Sequence, residues 1–204
     1  DSGAPMMLDC VFAGNIDSIN GAGVSIEGPA TPDFRSCRFE SNRATFDGGA
    51  VEIKGPAQPE NPAVTFTSCR FRGNRAQNSS GTGGTGGAIR AFNADFDLVN
   101  CLFSGNLAGA AGGAVHASRS GGAGMLVRAV NCTFGGNMAA SQARGGAIFL
   151  NGVDSEMTNC VVWGNRDSSA SLTRNDSIDW NSRVPVFTNC LVEHVDLFFG
   201  TDSF

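Results

Sequence analysis

The chain has 204 residues, of which 28 are glycine, and its formal net charge is −5. This balance argues against a nucleic-acid binder, which needs a basic surface to neutralise phosphates. No apolar run approaches the roughly 20 residues that span a bilayer, and the hydrophobic fraction of 41% is too high for a disordered chain.

A repeat of about 30 residues runs along the chain and is marked by its cysteines. Consecutive cysteines lie 27, 32, 32, 31, 28 and 30 residues apart. A typical copy reads Cys69-Arg-Phe-Arg-Gly-Asn74. Regular spacing of this kind is typical of solenoid proteins. The repeated positions are Cys10, Cys37, Cys69, Cys101, Cys132, Cys160 and Cys190, followed by Asn15, Asn42, Asn74, Asn106, Asn137 and Asn165.

Each repeat contains three short strand-like segments in the same order. The first precedes the cysteine, the second follows it, and the third follows a Gly-Gly-Ala motif such as Gly48-Gly-Ala-Val51. Apolar residues alternate locally, and no segment of helical length shows a 3.6-residue apolar period. We therefore predict an all-β fold: a right-handed parallel β-helix, or β-solenoid, of about seven coils with three short strands per coil.

The repeat predicts a single domain over residues 1–204, with the N-terminal coil beginning at about residue 5. Residues 191–204 depart from the pattern, and the last copy, Cys190-Leu-Val-Glu-His-Val195, lacks the Gly-Asn pair. We interpret this segment as a cap over the final coil or as a joint to another molecule, because a solenoid exposes unpaired strand edges at its ends.

Stacking of the coils about 4.8 Å apart turns each repeated residue into a ladder. Cysteine is a small buried hydrophobe, and the ladder spacing does not favour disulfides, so we predict inward-facing free thiols. Asparagine in a turn tolerates left-handed backbone and can pair its amide with the next coil. No CxxC pair or other converging set of ligands is present, so we expect neither a metal nor a cofactor.

These motifs resemble the repeat of the chlamydial polymorphic membrane proteins, in which Phe-x-x-Asn is paired with Gly-Gly-Ala followed by Ile, Leu or Val. The segments 39–42, 71–74, 103–106 and 134–137 match in full, and an intact Gly-Gly-Ala follows each. The resemblance covers residues 10 to about 180 and extends to other bacterial β-helix passenger proteins. It implies a surface-exposed, autotransported and often adhesive protein.

Two outward columns hold the candidate catalytic residues. Glu52, Arg90 and His116 occupy the same position in successive coils, and so do Asp97, Arg128 and Glu156. An acid, a guanidinium and an imidazole in a row could bind an acidic sugar and move a proton. The simpler interpretation, which we prefer, is a solvated strand face with weak charge pairs.

The sequence therefore favours a non-catalytic extracellular structural or adhesive module, which could assemble end to end into fibres. The alternatives are a polysaccharide lyase or glycoside hydrolase on the same scaffold, or an accessory subunit of a larger surface complex. We expect its partners to be other proteins or copies of itself at the solenoid ends, and host or environmental glycans. We expect a bacterial extracellular or outer-surface location, with a secretion leader that is not present in this sequence and no transmembrane segment.

Overall fold

A computed structural model describes residues 4–17, 19–55, 63–120, 124–140, 144–168 and 177–193. All strand pairs in this part of the chain are parallel, and each strand pairs with its equivalent one coil away. No helix occurs among the described residues. The predicted parallel β-helix is confirmed.

The strands form four sheets that run along the solenoid. The first sheet contains Met6–Leu8, Asp33–Arg35, Val64–Thr67, Phe96–Val99, Leu126–Val130, Asp154–Thr158 and Val186–Thr188. The second contains Val11–Ala13, Arg38–Glu40, Arg70–Arg72, Leu102–Ser104, Thr133–Gly135, Val161–Trp163 and Leu191–Val192. The third contains Ile16–Asp17, Arg43–Ala44, Arg75–Ala76, Leu107–Ala108, Met138–Ala139 and Arg166–Asp167. The fourth contains Val24–Glu27, Val51–Lys54, Ile89–Phe92, Val115–Ser118, Ile148–Asn151 and Ile178–Asn181.

Each coil thus has four strands rather than the three that the sequence predicts. The additional strand is the two-residue segment after Gly-Asn, such as Arg75–Ala76. It forms a separate sheet because Gly73, with φ of 61°, bends the chain between the second and third strands. A strand of two residues is too short to show an alternating pattern in the sequence. Within the described residues there are six complete coils and the first two strands of a seventh.

The core is a column of stacked side chains inside the solenoid. Phe39, Phe71, Phe103 and Phe134 are fully buried, and their rings stack at centroid distances of 4.5 to 4.7 Å. Parallel pairing places identical residues at one height, so the aromatic rings stack along the axis.

The Gly-Gly-Ala motif makes the corner before the fourth sheet. The first glycine, for example Gly112, has φ of 61°. The second, Gly113, lies so close to the next coil that an added Cβ would be 2.0 Å from the carbonyl oxygen of Gly146. Ala114 points inward and is fully buried. Each residue of the motif therefore has its own steric reason: left-handed backbone, close approach of two backbones, and a small interior corner.

Candidate functional site

The structure places Glu52, Arg90 and His116 on adjacent strands of the fourth sheet. Arg90 is in register with Glu52 on one side and with His116 on the other. The same column continues through Phe149 to Asp179. The three residues therefore form the row that stacking requires.

This column faces away from the core but is not a solvated strand face, which corrects our interpretation from the sequence. Glu52 is only 3% exposed and His116 only 8%. Asp47, from the turn before Gly-Gly-Ala, lies 3.7 Å from the Arg90 guanidinium. Burial is the largest influence on Arg90 and lowers its pKa, while Asp47 opposes this effect. A turn residue thus lies against the outer surface of the fourth sheet beside Arg90.

His116 is a neutral packing residue in this arrangement. Its ring stacks on Phe149 with centroids 5.2 Å apart, and neither ring nitrogen has a hydrogen-bond partner among the described residues. Burial, reinforced by the nearby Arg90 charge, lowers the pKa of His116 to about 3. A proton-transfer group needs access to its substrate, which this imidazole lacks.

The column ends in an ion pair that further covers it. Arg144 donates to both carboxylate oxygens of Asp179, at 2.6 and 3.0 Å. The same guanidinium lies over the Phe149 ring, 4.8 Å from its centroid. The bidentate geometry and the ring contact fix Arg144 over the sheet. The geometry of the fourth-sheet column thus favours cohesion between coils.

The second predicted column lies on the first sheet and is accessible. Arg128 Nε is 3.1 Å from a Glu156 carboxylate oxygen, and Arg128 Nη1 is 3.9 Å from Asp97. Arg128 and Glu156 are exposed to solvent, and partial burial raises the pKa of Asp97 despite the attraction of Arg128. Exposed ion pairs of this kind contribute little stability. The three groups could contact a ligand from solvent.

The asparagine ladder is a continuous hydrogen-bonded chain inside the solenoid. The side-chain amide of each asparagine donates to Oδ1 of the next at 2.8 to 3.0 Å, from Asn15 through to Asn165. The five members after Asn15 are buried. Left-handed backbone falls on a different set of asparagines, which directly precede cysteines: Asn100, Asn131, Asn159 and Asn189. In the segment Gly105-Asn106, for example, Gly105 has φ of 61° and the asparagine bonds the coils. Asparagine thus fills both predicted roles, at different positions of the repeat.

The seven cysteines are free thiols in an inward ladder. Cys37, Cys69, Cys101, Cys132 and Cys160 are buried, whereas Cys10 and Cys190 at the two ends are partly exposed. Each thiol points to backbone carbonyls; Cys101 Sγ, for example, is 3.3 Å from the carbonyl oxygen of Phe66. Burial raises the pKa of the Cys37 thiol to about 11. The residue before each cysteine has φ of 52° to 55°, which turns the chain from the first sheet to the second.

A basic surface on the second sheet was not identified from the sequence. Arg38 and Arg70 are in register, and Arg72 lies on the same outward side of its strand. All three are exposed, and Trp163 lies further along this side and is 53% exposed. The sequence does contain the pattern that predicts this surface, because the first and third residues after each cysteine lie on the same face of the strand.

The described residues contain no group of three histidine, cysteine or acidic side chains that could hold a metal ion. They also contain no helix long and apolar enough to cross a membrane. The predicted terminal cap or joint lies mostly outside the described residues, since only Leu191 to Glu193 of that segment are placed.

One segment of the chain matches a known family. Residues 100–118 match the model described as the Chlamydia polymorphic membrane protein repeat. The matched segment spans Cys101 to Asn106 and Gly112 to Val115, which are the two motifs that carry the resemblance. No curated protein and no solved structure matches the chain.

Proposed function

We propose that the chain is a non-catalytic structural module of an extracellular or outer-surface bacterial protein, and that it joins further copies of itself or another protein through its solenoid ends. The observation that carries this proposal is the sheet order. Within the described residues, the first strand of each of the four sheets pairs on one side only. An unpaired strand edge is a template for pairing with another chain.

The distribution of exposed apolar side chains supports joining at the ends. In the first coil, Met6, Leu8 and Ile16 are 58%, 54% and 81% exposed. Near the other end, Val184 and Leu191 are 71% and 55% exposed. Exposed apolar groups of this kind mark protein contacts when they form a contiguous patch. The match to a membrane-protein repeat supports the surface location.

The free edge at the first coil allows a direct test. The Gly14 N–H donates to Glu40, and the carbonyl of Phe12 accepts from Asn42, so both groups face the second coil. Because the backbone alternates along a strand, the N–H of Ala13 faces the unpaired side. Ala13→Pro removes this donor from the edge, whereas Ala13→Val keeps it and serves as the matched control.

Sedimentation velocity over a range of concentrations, together with electron microscopy, measures the assembly. We expect the unmodified chain and Ala13→Val to form end-to-end species as concentration rises, and Ala13→Pro to remain smaller. Circular dichroism verifies that both variants are folded. A chain that stays monomeric throughout, or equal assembly of the two variants, contradicts end joining.

The exposed group on the first sheet supports a second candidate function. Asp97, Arg128 and Glu156 place two carboxylates beside a guanidinium within reach of solvent. This arrangement favours the polysaccharide lyase or hydrolase alternative more than the buried fourth-sheet column does. Turnover of acidic glycans that is lost in Arg128→Ala would support it, and absence of turnover in the unmodified chain would reject it.

A further inference from the structure

We infer that the outward face of the second sheet binds a linear acidic polysaccharide, with its anionic groups on the arginines of the second and third coils and a sugar ring on Trp163. We call this surface the arginine–tryptophan face. It comprises Arg38, Glu40, Arg70, Arg72, Leu102, Ser104, Thr133, Gly135 and Trp163. The inference rests on the proposed surface function and names the ligand class.

The arginines carry the charge complementarity. Arg38 and Arg70 are in register on adjacent strands, so their Cα atoms are about 4.8 Å apart. Arg72 lies two residues after Arg70 on the same strand, so their Cα atoms are about 6.6 Å apart. No ion pair joins any of the three to a carboxylate in the described part of the chain, although Glu40 is in register with Arg72. Arg43 is also exposed, at the start of the next strand of the second coil. These arginines form a local positive cluster, although the net charge of the whole chain is −5.

The guanidinium groups suit carboxylate or sulfate. Each guanidinium presents N–H donors in a planar fork that can bind an oxyanion with two hydrogen bonds. Since these donors are not engaged by protein carboxylates, binding an anion does not require breaking an internal ion pair. Arginines spaced along both the strand and the solenoid axis would match charges repeated along a polymer.

The surface between the arginines and Trp163 is low and open. Ser104 and Gly135 occupy the two positions in the column from Arg72 to Trp163. An added Cβ on Gly135 would meet nothing closer than 3.8 Å, so packing does not account for this glycine. An open groove of about 550 Å³ borders Arg70, Arg72 and Ser104. The column spans three coil spacings, or about 14 Å, which suits an oligosaccharide better than a single sugar.

The foundation of this face is rigid. Directly beneath it, on the inward side of the same strands, are the stacked rings of Phe71, Phe103 and Phe134. A site on packed strands is positioned more precisely than a site on a loop. Trp163 adds an aromatic surface that remains accessible, and such surfaces stack on sugar rings.

An acidic glycan fits this face better than a nucleic acid. Single-stranded nucleic acids are bound by several aromatic side chains in succession, whereas this face offers one, Trp163. Beyond the arginines the chain is acidic overall, which disfavours the extended phosphate contacts of a duplex. A polysaccharide needs only the few charges and the one ring that are present.

Isothermal titration calorimetry with a size-defined heparin oligosaccharide tests the inference, and an uncharged maltooligosaccharide of equal length is the reference ligand. We expect Arg70→Gln to weaken heparin binding about tenfold. The control is Arg183→Gln, which removes the same charge at an exposed position on another surface, where the guanidinium pairs with Asp154. It should change the affinity by less than about twofold.

Trp163 provides a separate readout. We expect Trp163→Ala to weaken binding roughly fivefold. In a Trp180→Phe variant, the remaining Trp163 should be protected from acrylamide quenching when the heparin oligosaccharide is bound. Protection that disappears in Arg70→Gln would link the aromatic and basic parts of the face.

The inference is wrong if heparin does not bind, or if the uncharged oligosaccharide binds equally well. It is also wrong if Arg70→Gln and Arg183→Gln weaken binding equally. Tighter binding of a single-stranded DNA oligonucleotide of equal charge would assign the face to nucleic acid instead. The sedimentation assay separates this failure from failure of the proposed function. If Arg70→Gln still assembles end to end while no glycan binds, only the ligand assignment is wrong. If heparin binds as expected and no assembly occurs, only the end-joining proposal is wrong.

Discussion

Replacing Asn106 by alanine should strongly destabilise the protein, because this buried side chain makes four hydrogen bonds between coils. Its Nδ2 donates to Asn137 Oδ1 at 2.9 Å and to the carbonyl of Phe71 at 3.0 Å. Its Oδ1 accepts from the backbone N–H and the side-chain amide of Asn74, each at 3.0 Å. Alanine leaves that backbone N–H of Asn74 without its acceptor in a region closed to water.

The expected magnitude follows from these bonds. A hydrogen bond contributes about 0.5–1.5 kcal/mol net, and an unpaired buried donor costs about 1–3 kcal/mol. The loss at Asn106 should therefore be about 3–5 kcal/mol. Asn15 is the matched control at the exposed end of the same ladder, where its side chain donates to Asn42 at 2.8 Å. Asn15→Ala should lose less than about 1 kcal/mol.

Urea denaturation of both variants, followed by far-ultraviolet circular dichroism and tryptophan fluorescence, measures the difference. Coincident transitions from the two probes justify a single free energy of unfolding for a stacked repeat protein. We expect the Asn106→Ala midpoint to fall well below that of Asn15→Ala, with similar slopes. Equal midpoints would refute the reasoning that interior amide bonds hold the coils together.

Three further predictions concern other parts of the solenoid. Gly113→Ala should lower the free energy of unfolding by more than about 3 kcal/mol, because the added Cβ would collide with the next coil. Gly105→Ala should lower it by only about 1–2 kcal/mol, because the added Cβ meets nothing within 4 Å and only the φ of 61° is unfavourable. Thermal unfolding compares the two variants, and equal losses would contradict the close-approach argument. Because burial lowers the pKa of His116 from 6.5 to about 3, the unfolded chain binds the proton more readily. The contribution of His116 to the free energy of unfolding should therefore be complete above about pH 6.5, and the free energy should fall by up to about 2 kcal/mol by about pH 5. A His116→Phe variant should lack this component in urea titrations at the two pH values, and an unchanged pH dependence would contradict it. Iodoacetamide followed by peptide mass spectrometry should label Cys10 and Cys190 first, since the five thiols between them are buried; equal labelling of all seven would contradict the inward ladder.

Register was predictable because the fold repeats one simple step. Once the coil was assigned about 30 residues, equal positions in neighbouring repeats had to become neighbours in space. Glu52 and Arg90 therefore pair in the structure as the spacing requires, and so do Arg128 and Glu156.

Burial of the outward columns was not predictable from the same pattern. Glu52 and Arg128 occupy equivalent outward positions on different sheets, yet one is buried and the other is exposed. On the fourth sheet, Glu52 pairs with Lys54 at 3.2 Å. Two turn residues, Asp47 and Arg144, pair with other side chains of the same sheet. Strand alternation determines which way a side chain points, but it does not report what covers it.

The sequence alone determined the parallel solenoid, the stacking register and the inward ladders, because these follow from local alternation and a constant repeat length. Only the tertiary structure decided that a fourth strand forms in each coil, that His116 is enclosed, and that the face shared by the arginines and Trp163 stays open to water. These features depend on how turns fold across neighbouring coils and on which side of a sheet remains open to water. Contacts between a turn and a strand, such as Asp47 with Arg90, join different positions of the repeat, so the repeat length does not predict them.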